Sequence, residues 1–201
     1  MEDLFNTLLE PELDWYPDWL PRQTADAFFV RVLVEVDWQQ QSIRTPRGLV
    51  PMPRLTAWQG EPEAVYVYSG IRNVPAPWTE AVAELRRLAE ATCGARFNSV
   101  LLNRYRSGSD SMSWHSDNEL ELGASPVIAS LSLGAPRGFD LRHNASRALR
   151  AYRLTHGSLL VMRGVTQRDW SHRVAKVRAV QGERLNLTFR LVGPRRALAD
   201  S

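Results

Sequence analysis

The spacing of hydrophobic residues predicts two helices in the first half of the chain. In the first, apolar residues recur at helical spacing from Ala25 to about Val36, with Thr24 as a plausible N-cap. In the second, Thr79 caps the start, Gly94 marks the end, and the apolar stripe consists of Val82, Leu85, Leu88 and Ala89. The intervening segment 39–63 is rich in Gln, Pro, Arg and Gly, which is typical of loops with short strands.

From Phe97 onward the pattern becomes that of β-strands. Short, partly alternating segments bounded by Gly, Pro, Ser or Asn predict strands at 99–106, 127–133, 138–143, 150–154, 158–163 and 184–192. Helices followed by a run of short strands indicate an α+β protein built around a sandwich or jelly roll. We find no repeat or Gly/Ser linker, so we expect one domain at 23–201, preceded by an irregular acidic arm at 1–22 whose tryptophans dock on it.

Composition limits the class of protein. The 201 residues are 44% hydrophobic and 23% charged, include a single cysteine, and contain no apolar run that could span a membrane. The N-terminus lacks the basic and apolar regions of a secretory signal. We therefore expect a protein of a reducing compartment, cytoplasmic in a bacterium or nuclear in a eukaryote, with no membrane partner.

Charge is distributed unevenly along the chain. Residues 1–20 contain six acidic and no basic residues, whereas residues 135–201 contain fourteen basic residues against four acidic ones. A basic half favours an anionic partner such as nucleic acid. All but one of the 25 basic residues are arginine, however, and genome composition produces the same bias. Charge alone does not decide between these readings.

A short motif, His115-Ser116-Asp117, carries candidate metal chemistry. On a strand, residues two apart point to the same face, so the imidazole and the carboxylate can converge. Two histidines and one carboxylate bound facially suit the Fe(II) of non-haem oxygenases. Of the other histidines, His143 reads as surface and His156 as part of a turn, whereas His172 has polar neighbours, as expected of a ligand from another strand. By itself the motif is common by chance.

A second signal is an uninterrupted alternation near the C-terminus, where one strand face carries Arg184, Asn186, Thr188 and Arg190. An edge strand with a solvated polar face explains this pattern as well. The planar guanidinium binds carboxylates bidentately, however, so two arginines could hold the two carboxylates of a short dianion. Asn103 and Tyr105 also share a strand face, and a structural role explains them equally well.

Taken together, these residues resemble the AlkB family of oxidative DNA and RNA dealkylases. The order Asn-x-Tyr, His-x-Asp, distal His and Arg-x-Asn-x-Thr-x-Arg is that family's signature, and the likeness runs from about residue 53 to residue 191. The resemblance implies a double-stranded β-helix (jelly roll) buttressed by N-terminal helices. It also implies Fe(II), held by His115, Asp117 and His172, with 2-oxoglutarate and O₂ as cosubstrates.

The resemblance also assigns the cosubstrate residues. Arg184, assisted by Tyr105, would pair with the distal carboxylate of 2-oxoglutarate. Arg190 and Asn103 would lie near the carboxylate that chelates iron, and Asn186 and Thr188 would complete the lining. The implied reaction demethylates 1-methyladenine and 3-methylcytosine in DNA, or in RNA, with decarboxylation of 2-oxoglutarate to succinate and release of formaldehyde. This would be DNA alkylation repair by an enzyme that we expect to be a monomer.

Fewer residues bear on the substrate. A strand that continued from the metal motif would aim Glu119 into the same cavity. The resemblance implies an acidic residue at this position, beside the amine of a flipped base. Tyr66 and Tyr68 match aromatic positions that line the family's pocket, and Arg54 is a candidate phosphate contact. The stretch 43–49 lacks the aromatic finger of duplex-preferring relatives, so single- and double-stranded targets both stay open. A dioxygenase acting on protein or a small molecule, and a jelly-roll binding module without catalysis, are the alternatives.

Overall fold

The structure, a computed structural model, describes residues 10–45, 48–68, 71–179 and 182–193. In chain order the elements are β1 (Leu13–Tyr16), α1 (Arg22–Glu35), β2 (Ser42–Thr45), β3 (Gly48–Pro51), β4 (Leu55–Gly60), β5 (Tyr66–Tyr68), β6 (Ile71–Asn73), α2 (Glu80–Cys93), β7 (Ser99–Tyr105), β8 (Met112–His115), a 3-10 turn (Leu120–Leu122), β9 (Ile128–Gly134), β10 (Arg137–His143), β11 (Leu149–Leu154), β12 (Ser158–Met162), α3 (Thr166–Asp169), β13 (Trp170–Val174) and β14 (Arg184–Arg190).

Two antiparallel sheets form the framework. The larger has six strands in the order β1-β12-β9-β14-β7-β4, and the smaller has four in the order β11-β10-β13-β8. The strands β2–β3 and β5–β6 form separate hairpins. One apolar cluster lies between the two sheets, and a second lies between the larger sheet and the helices α1 and α2. This arrangement agrees with the predicted α+β jelly roll with buttressing helices.

The two faces of strand β14 have different surroundings, one in the apolar core and the other in the space between the sheets. It is a central strand, hydrogen-bonded to β7 on one side and β9 on the other, and all seven of its residues are buried. Leu185, Leu187 and Phe189 join the cluster under the helices. Because side chains alternate along a strand, Arg184 and Arg190 point to the space between the sheets. The reading of this segment as a solvated edge strand is therefore excluded.

Both helices differ in detail from their predicted limits. The helix α1 begins at Arg22 after Pro21, not after Thr24, and the carbonyl of Pro21 accepts a hydrogen bond from the N–H of Ala25 at 2.9 Å. Thr79 is the N-cap residue of α2, as predicted, but its side chain forms no capping hydrogen bond to the helix. A carboxylate oxygen of Glu35 instead accepts a hydrogen bond from the backbone N–H of Ala81 at 2.8 Å, which compensates the helix dipole.

The predicted N-terminal arm is not irregular throughout. Its residues 13–16 form β1, which pairs with β12 at the edge of the larger sheet. The tryptophans dock on the domain as predicted, with Trp15 edge-on to Tyr152 at 6.4 Å between ring centroids. The Nε1–H of Trp19 donates to Thr92 Oγ1 at 2.9 Å. The strand forms because its backbone satisfies the exposed edge of β12.

Acidic residues near the N-terminus pair with the basic second half. A carboxylate oxygen of Asp14 lies 2.6 Å from Nε of Arg163, and one of Glu10 lies 2.7 Å from Nη2 of Arg150. Part of the charge asymmetry in the sequence is therefore neutralised within the fold. No helix in the described part of the chain is long and apolar enough to cross a membrane.

The burial of α2 gives a stability prediction. Leu85 is fully buried against the larger sheet, whereas Leu88, predicted to belong to the same apolar stripe, is 44% exposed. We expect Leu85→Ala to lower the free energy of unfolding by about 3 kcal/mol, because it leaves a cavity in the core. Leu88→Ala removes the same atoms from a more solvent-exposed position, and we expect it to lower the free energy of unfolding by less than about 1 kcal/mol. Urea denaturation measures both; equal losses would contradict the assigned face of the helix.

Candidate active site

Three side chains able to bind a metal meet between the two sheets. His115 ends β8 and lies directly opposite His172 on β13, with 4.2 Å between the ring centroids. Asp117 follows two residues later, and the potential ligand atoms of the three residues all lie within 4.8 Å of one another. Two histidines and one carboxylate at this spacing can hold one divalent transition metal on one face and leave its other positions open.

Asp117 does not reach this position along a strand. The strand β8 ends at His115, where its pairing with β13 also shifts register, so the expected alternation onward to Asp117 and Glu119 is wrong. Two hydrogen bonds to neighbouring elements hold the segment instead. Gln167 of α3 accepts from the backbone N–H of Asp117 at 2.8 Å, and the hydroxyl of Ser116 donates to the carbonyl of Trp170 at 3.0 Å.

A buried ion pair sets the charge of Asp117. Arg190 Nη2 lies 2.8 Å from Asp117 Oδ2, and both side chains are almost completely shielded from solvent. Burial alone would raise the pKa of Asp117, but the charge of Arg190, supported by His172 and His115, holds that pKa well below its usual range. The carboxylate is therefore ionised and available to a cation at neutral pH.

Contacts and burial at the two histidines suit them to bind a metal. Nδ1 of His115 lies 2.9 Å from the carbonyl oxygen of Ser113, which makes Nδ1 the donor and leaves the Nε2 lone pair 4.0 Å from Asp117 Oδ1. Burial lowers the pKa of His172 to about 3. Nδ1 of His172 is buried and has no hydrogen-bond partner among the described residues. One nitrogen of each ring lies within 4.8 Å of the other potential ligand atoms, so both rings can face one metal ion.

The other arginine of β14 has no carboxylate partner within the part of the chain that the structure describes. Arg184 is 1% exposed, its Nη2 donates to the Ser132 hydroxyl at 2.9 Å, and its guanidinium carbon lies 5.1 Å from the ring centroid of Tyr105. Its Nε and Nη1 are buried without a partner among the described residues. Burial lowers the pKa of Arg184, and the Tyr105 hydroxyl opposes that fall. A buried cation with free donors is a receptor for an anion.

Comparison with known proteins identifies the family. Residues 12–190 match the family described as the 2OG-Fe(II) oxygenase superfamily. The chain belongs to the 2OG-Fe(II) oxygenase superfamily. Its Fe(II) and 2-oxoglutarate, with O₂, are the cofactors that the sequence predicts, and the residues fit them: a His-Asp-His set for the metal and a buried free guanidinium for a carboxylate.

Relatives place this oxygenase near the AlkB homologues, as predicted. It is 41% identical to alpha-ketoglutarate-dependent dioxygenase alkB homolog 3 of Rattus norvegicus, over 89% of this chain and 63% of the relative. It is 36% identical to the DNA oxidative demethylase ALKBH2 of Arabidopsis thaliana, over 90% of this chain and 66% of the relative. The chain thus spans slightly less than two thirds of these relatives. The solved structure of OsALKBH1, 16% identical, has the same fold, with a TM-score of 0.59 over 90% of this chain and 99% of that chain.

The two arginines of this oxygenase have different surroundings. Since Arg190 pairs with a candidate metal ligand, Arg184 is the arginine whose described contacts leave room for a second carboxylate. Asn186 Nδ2 donates to the Ser130 hydroxyl at 2.8 Å, and Thr188 Oγ1 donates to Asn186 Oδ1 at 3.2 Å. All four polar residues of β14 line one cavity with the metal set.

The sequence analysis did not identify several side chains that hold the site residues in place. Ser130 and Ser132 on β9 hold Asn186 and Arg184, and Gln167 holds Asp117. The alternation Ser130-Leu131-Ser132-Leu133 in the sequence contains the signal for the two serines, because it places both hydroxyls on one face of a strand. Gln167 lies on a helix of four residues that shows no periodicity from which its role could be read.

The candidate substrate residues are less well supported. Arg54 is 5% exposed and donates through Nε to Asn103 Oδ1 at 2.6 Å and through Nη1 to the Ser111 carbonyl at 3.2 Å. It therefore orients a cavity residue and does not offer a surface contact for phosphate. Glu119 precedes the 3-10 turn and does not line the cavity. Tyr66 and Tyr68 lie on β5, but their side chains are outside the described part of the structure.

The buried ion pair predicts how stability and metal binding separate. We expect Asp117→Ala to abolish Mn(II) binding and to lower the free energy of unfolding of the metal-free protein by about 3 kcal/mol, because Arg190 is left as an unpaired buried charge. The double variant Asp117→Ala/Arg190→Met should recover part of that stability without recovering metal binding. Calorimetric titration and urea denaturation measure the two effects. Retained metal binding in Asp117→Ala would show that the metal set is misassigned.

Proposed function

We propose that this protein is an Fe(II)- and 2-oxoglutarate-dependent demethylase of N-methylated nucleobases, with 1-methyladenine and 3-methylcytosine in DNA as substrates. The observation that carries the proposal is a single cavity that contains both a metal-binding triad and a buried arginine without a carboxylate partner. The names of the relatives, dioxygenase and DNA oxidative demethylase, support the choice of reaction and substrate.

The protein's part in the reaction is to bind and orient. His115, Asp117 and His172 would hold Fe(II), and Arg190 keeps the Asp117 carboxylate ionised for that purpose. Arg184 and Tyr105 would fix the far carboxylate of 2-oxoglutarate. When bound, iron and 2-oxoglutarate supply the oxidation: with O₂, the keto acid becomes succinate and CO₂, and the hydroxylated methyl group leaves the base as formaldehyde. Burial of the cavity residues excludes competing water.

Charge supports a methylated base as the substrate. 1-Methyladenine and 3-methylcytosine are cationic and carry an amino donor. Glu119 lies two residues beyond Asp117, outside the cavity lining, and its Oε2 is buried without a partner among the described residues. A buried unpaired acceptor is costly, so a donor that reaches it gains affinity. A flipped base with a positive charge fits this need, and the arginine-rich second half would hold the nucleic-acid backbone.

A substrate panel tests the proposal. Purified protein with Fe(II), ascorbate and 2-oxoglutarate is incubated with oligonucleotides that contain 3-methylcytosine in single-stranded DNA, duplex DNA or RNA. We expect conversion to cytosine in DNA, with succinate and formaldehyde formed in equal amounts. Arg184→Met keeps the bulk of the side chain but removes its charge, and we expect at least about a hundredfold loss of kcat/KM for 2-oxoglutarate.

Each other outcome of this assay has a definite meaning. Succinate formed without repair of any oligonucleotide would favour a protein or a small molecule as the substrate. Repair of RNA alone would move the substrate from DNA to RNA. If neither succinate nor formaldehyde rises above the level seen with Asp117→Ala, the proposed activity is wrong.

A further inference from the structure

A second fully buried arginine lies beside the cavity without lining it. Arg137, the first residue of β10, is 2% exposed. Its Nη1 donates to the carbonyl of Ser107 at 3.2 Å, and its Nη2 donates to the carbonyls of Asp110 at 2.8 Å and Ala175 at 2.7 Å. It thereby joins the loop before β8 to the segment after β13. None of these partners is a side chain, so the contacts stabilise the guanidinium without neutralising its charge.

Arg137 and Arg184 share a neighbour, Tyr105. Both guanidinium groups lie over the Tyr105 ring, with their central carbons 5.5 Å and 5.1 Å from its centroid. Tyr105 is 1% exposed and lines the cavity, as Arg184 does. A cation over an aromatic face is attracted by the ring, and this attraction increases when water is excluded. Arg137 therefore restrains the orientation of a ring that faces the candidate carboxylate site.

The two arginines also act on each other through their charge. Burial lowers the pKa of each, and the charge of Arg137 lowers the pKa of Arg184 further. The carboxylate of Asp110 raises the pKa of Arg137, but Arg106 already holds that carboxylate with two hydrogen bonds of 2.8 and 2.9 Å. This corner of the cavity thus has an excess of buried positive charge. An anion bound at Arg184 compensates this positive charge. The affinity for the anion therefore depends on both Arg137 and Arg184.

We propose that Arg137 is a positioning residue that raises the affinity of the site for the second carboxylate of 2-oxoglutarate, acting through Tyr105 and Arg184. It does not line the cavity that would hold the metal and the cosubstrate. The inference rests on the proposed use of 2-oxoglutarate and adds a determinant of keto-acid selectivity outside the cavity lining. The site would then recognise a dicarboxylate through Arg184, which would contact it, and through Arg137, which acts from behind the shared Tyr105 ring.

A merely structural role for Arg137 makes a different prediction. Loss of its three carbonyl contacts would loosen the loop before β8, and every ligand of the cavity would then bind less well. The positioning role weakens only ligands that carry the second carboxylate. The five-carbon monocarboxylic keto acid 2-oxopentanoate distinguishes the two roles, because it has the same metal-chelating end as 2-oxoglutarate and a methyl group in place of the far carboxylate.

The experiment measures equilibrium binding without turnover. Wild-type protein and variants are loaded with Mn(II), and the dissociation constants of Mn(II), 2-oxoglutarate and 2-oxopentanoate are measured by calorimetric titration. We expect Arg137→Met to weaken 2-oxoglutarate binding about tenfold, while Mn(II) and 2-oxopentanoate binding stay within about twofold of wild type. Arg137→Lys keeps the charge and should recover part of the loss. In steady state with Fe(II), the KM for 2-oxoglutarate should rise with little change in kcat.

Arg104→Met is the matched control. Arg104 is the residue before Tyr105 on β7, it points to the other face of the sheet, and its Nη2 pairs with Glu183 at 2.8 Å. Its substitution also removes one positive charge near Tyr105 but no contact with the ring. We expect 2-oxoglutarate to bind this variant as it binds the wild type. An equal loss in both variants would reduce the effect to net charge and overturn the role assigned to Arg137.

The remaining outcomes are also decisive. Unchanged 2-oxoglutarate binding in Arg137→Met, or equal weakening for both keto acids and Mn(II), overturns the proposal. If Arg137→Met does not fold, judged by circular dichroism, the ratio of the two keto-acid dissociation constants in Arg137→Lys takes its place, and an unchanged ratio overturns it. Failure of the wild type to bind 2-oxoglutarate at all would instead contradict the proposed function, so the two failures are distinguishable.

Discussion

The burial of two arginines on one central strand is the constraint from which the site follows. The polar face of strand β14 meets residues of the smaller sheet, and Arg184 and Arg190 are buried there. A buried guanidinium is tolerated only when other groups compensate its charge. Arg190 meets Asp117, and this pair holds a metal ligand that no strand carries. Arg184 meets only a hydroxyl and an aromatic ring among its described contacts, and its charge is left for a ligand.

The jelly roll makes this arrangement possible because its larger sheet has two buried faces. Leu185, Leu187 and Phe189 pack beneath the two helices, and the polar residues between them face the smaller sheet. The smaller sheet contributes His115 and His172 as paired neighbours on β8 and β13. Metal ligands and candidate anion receptor thus come from opposite layers of the sandwich. The apolar cluster beneath the helices lies away from the cavity, whereas Phe139, Met162 and Val174 of the cluster between the sheets also line it.

The alternation of polar and apolar residues predicted the features that a single strand determines, namely its limits and the face on which each side chain lies. The limits of the predicted strands agree with the structure to within two residues, and the polar face of β14 was read from its period of two. Contacts between distant segments left no such signal. Asp117 depends on Gln167, fifty residues later, and the hydrogen bond from Arg54 to Asn103 turns a supposed phosphate contact inward. The acidic N-terminal segment likewise pairs with Arg150 and Arg163, which composition alone could not show.

The central claim is that Arg184 is the receptor for the second carboxylate of 2-oxoglutarate. A crystal structure of the complex with Mn(II) and 2-oxoglutarate under nitrogen tests it directly. We predict that the keto and adjacent carboxylate oxygens chelate the metal held by His115, Asp117 and His172, and that the far carboxylate accepts hydrogen bonds from Arg184 Nε or Nη1 and from the Tyr105 hydroxyl. A far carboxylate that instead contacts Arg190, or solvent, with Arg184 left as it is in this structure, would contradict the account.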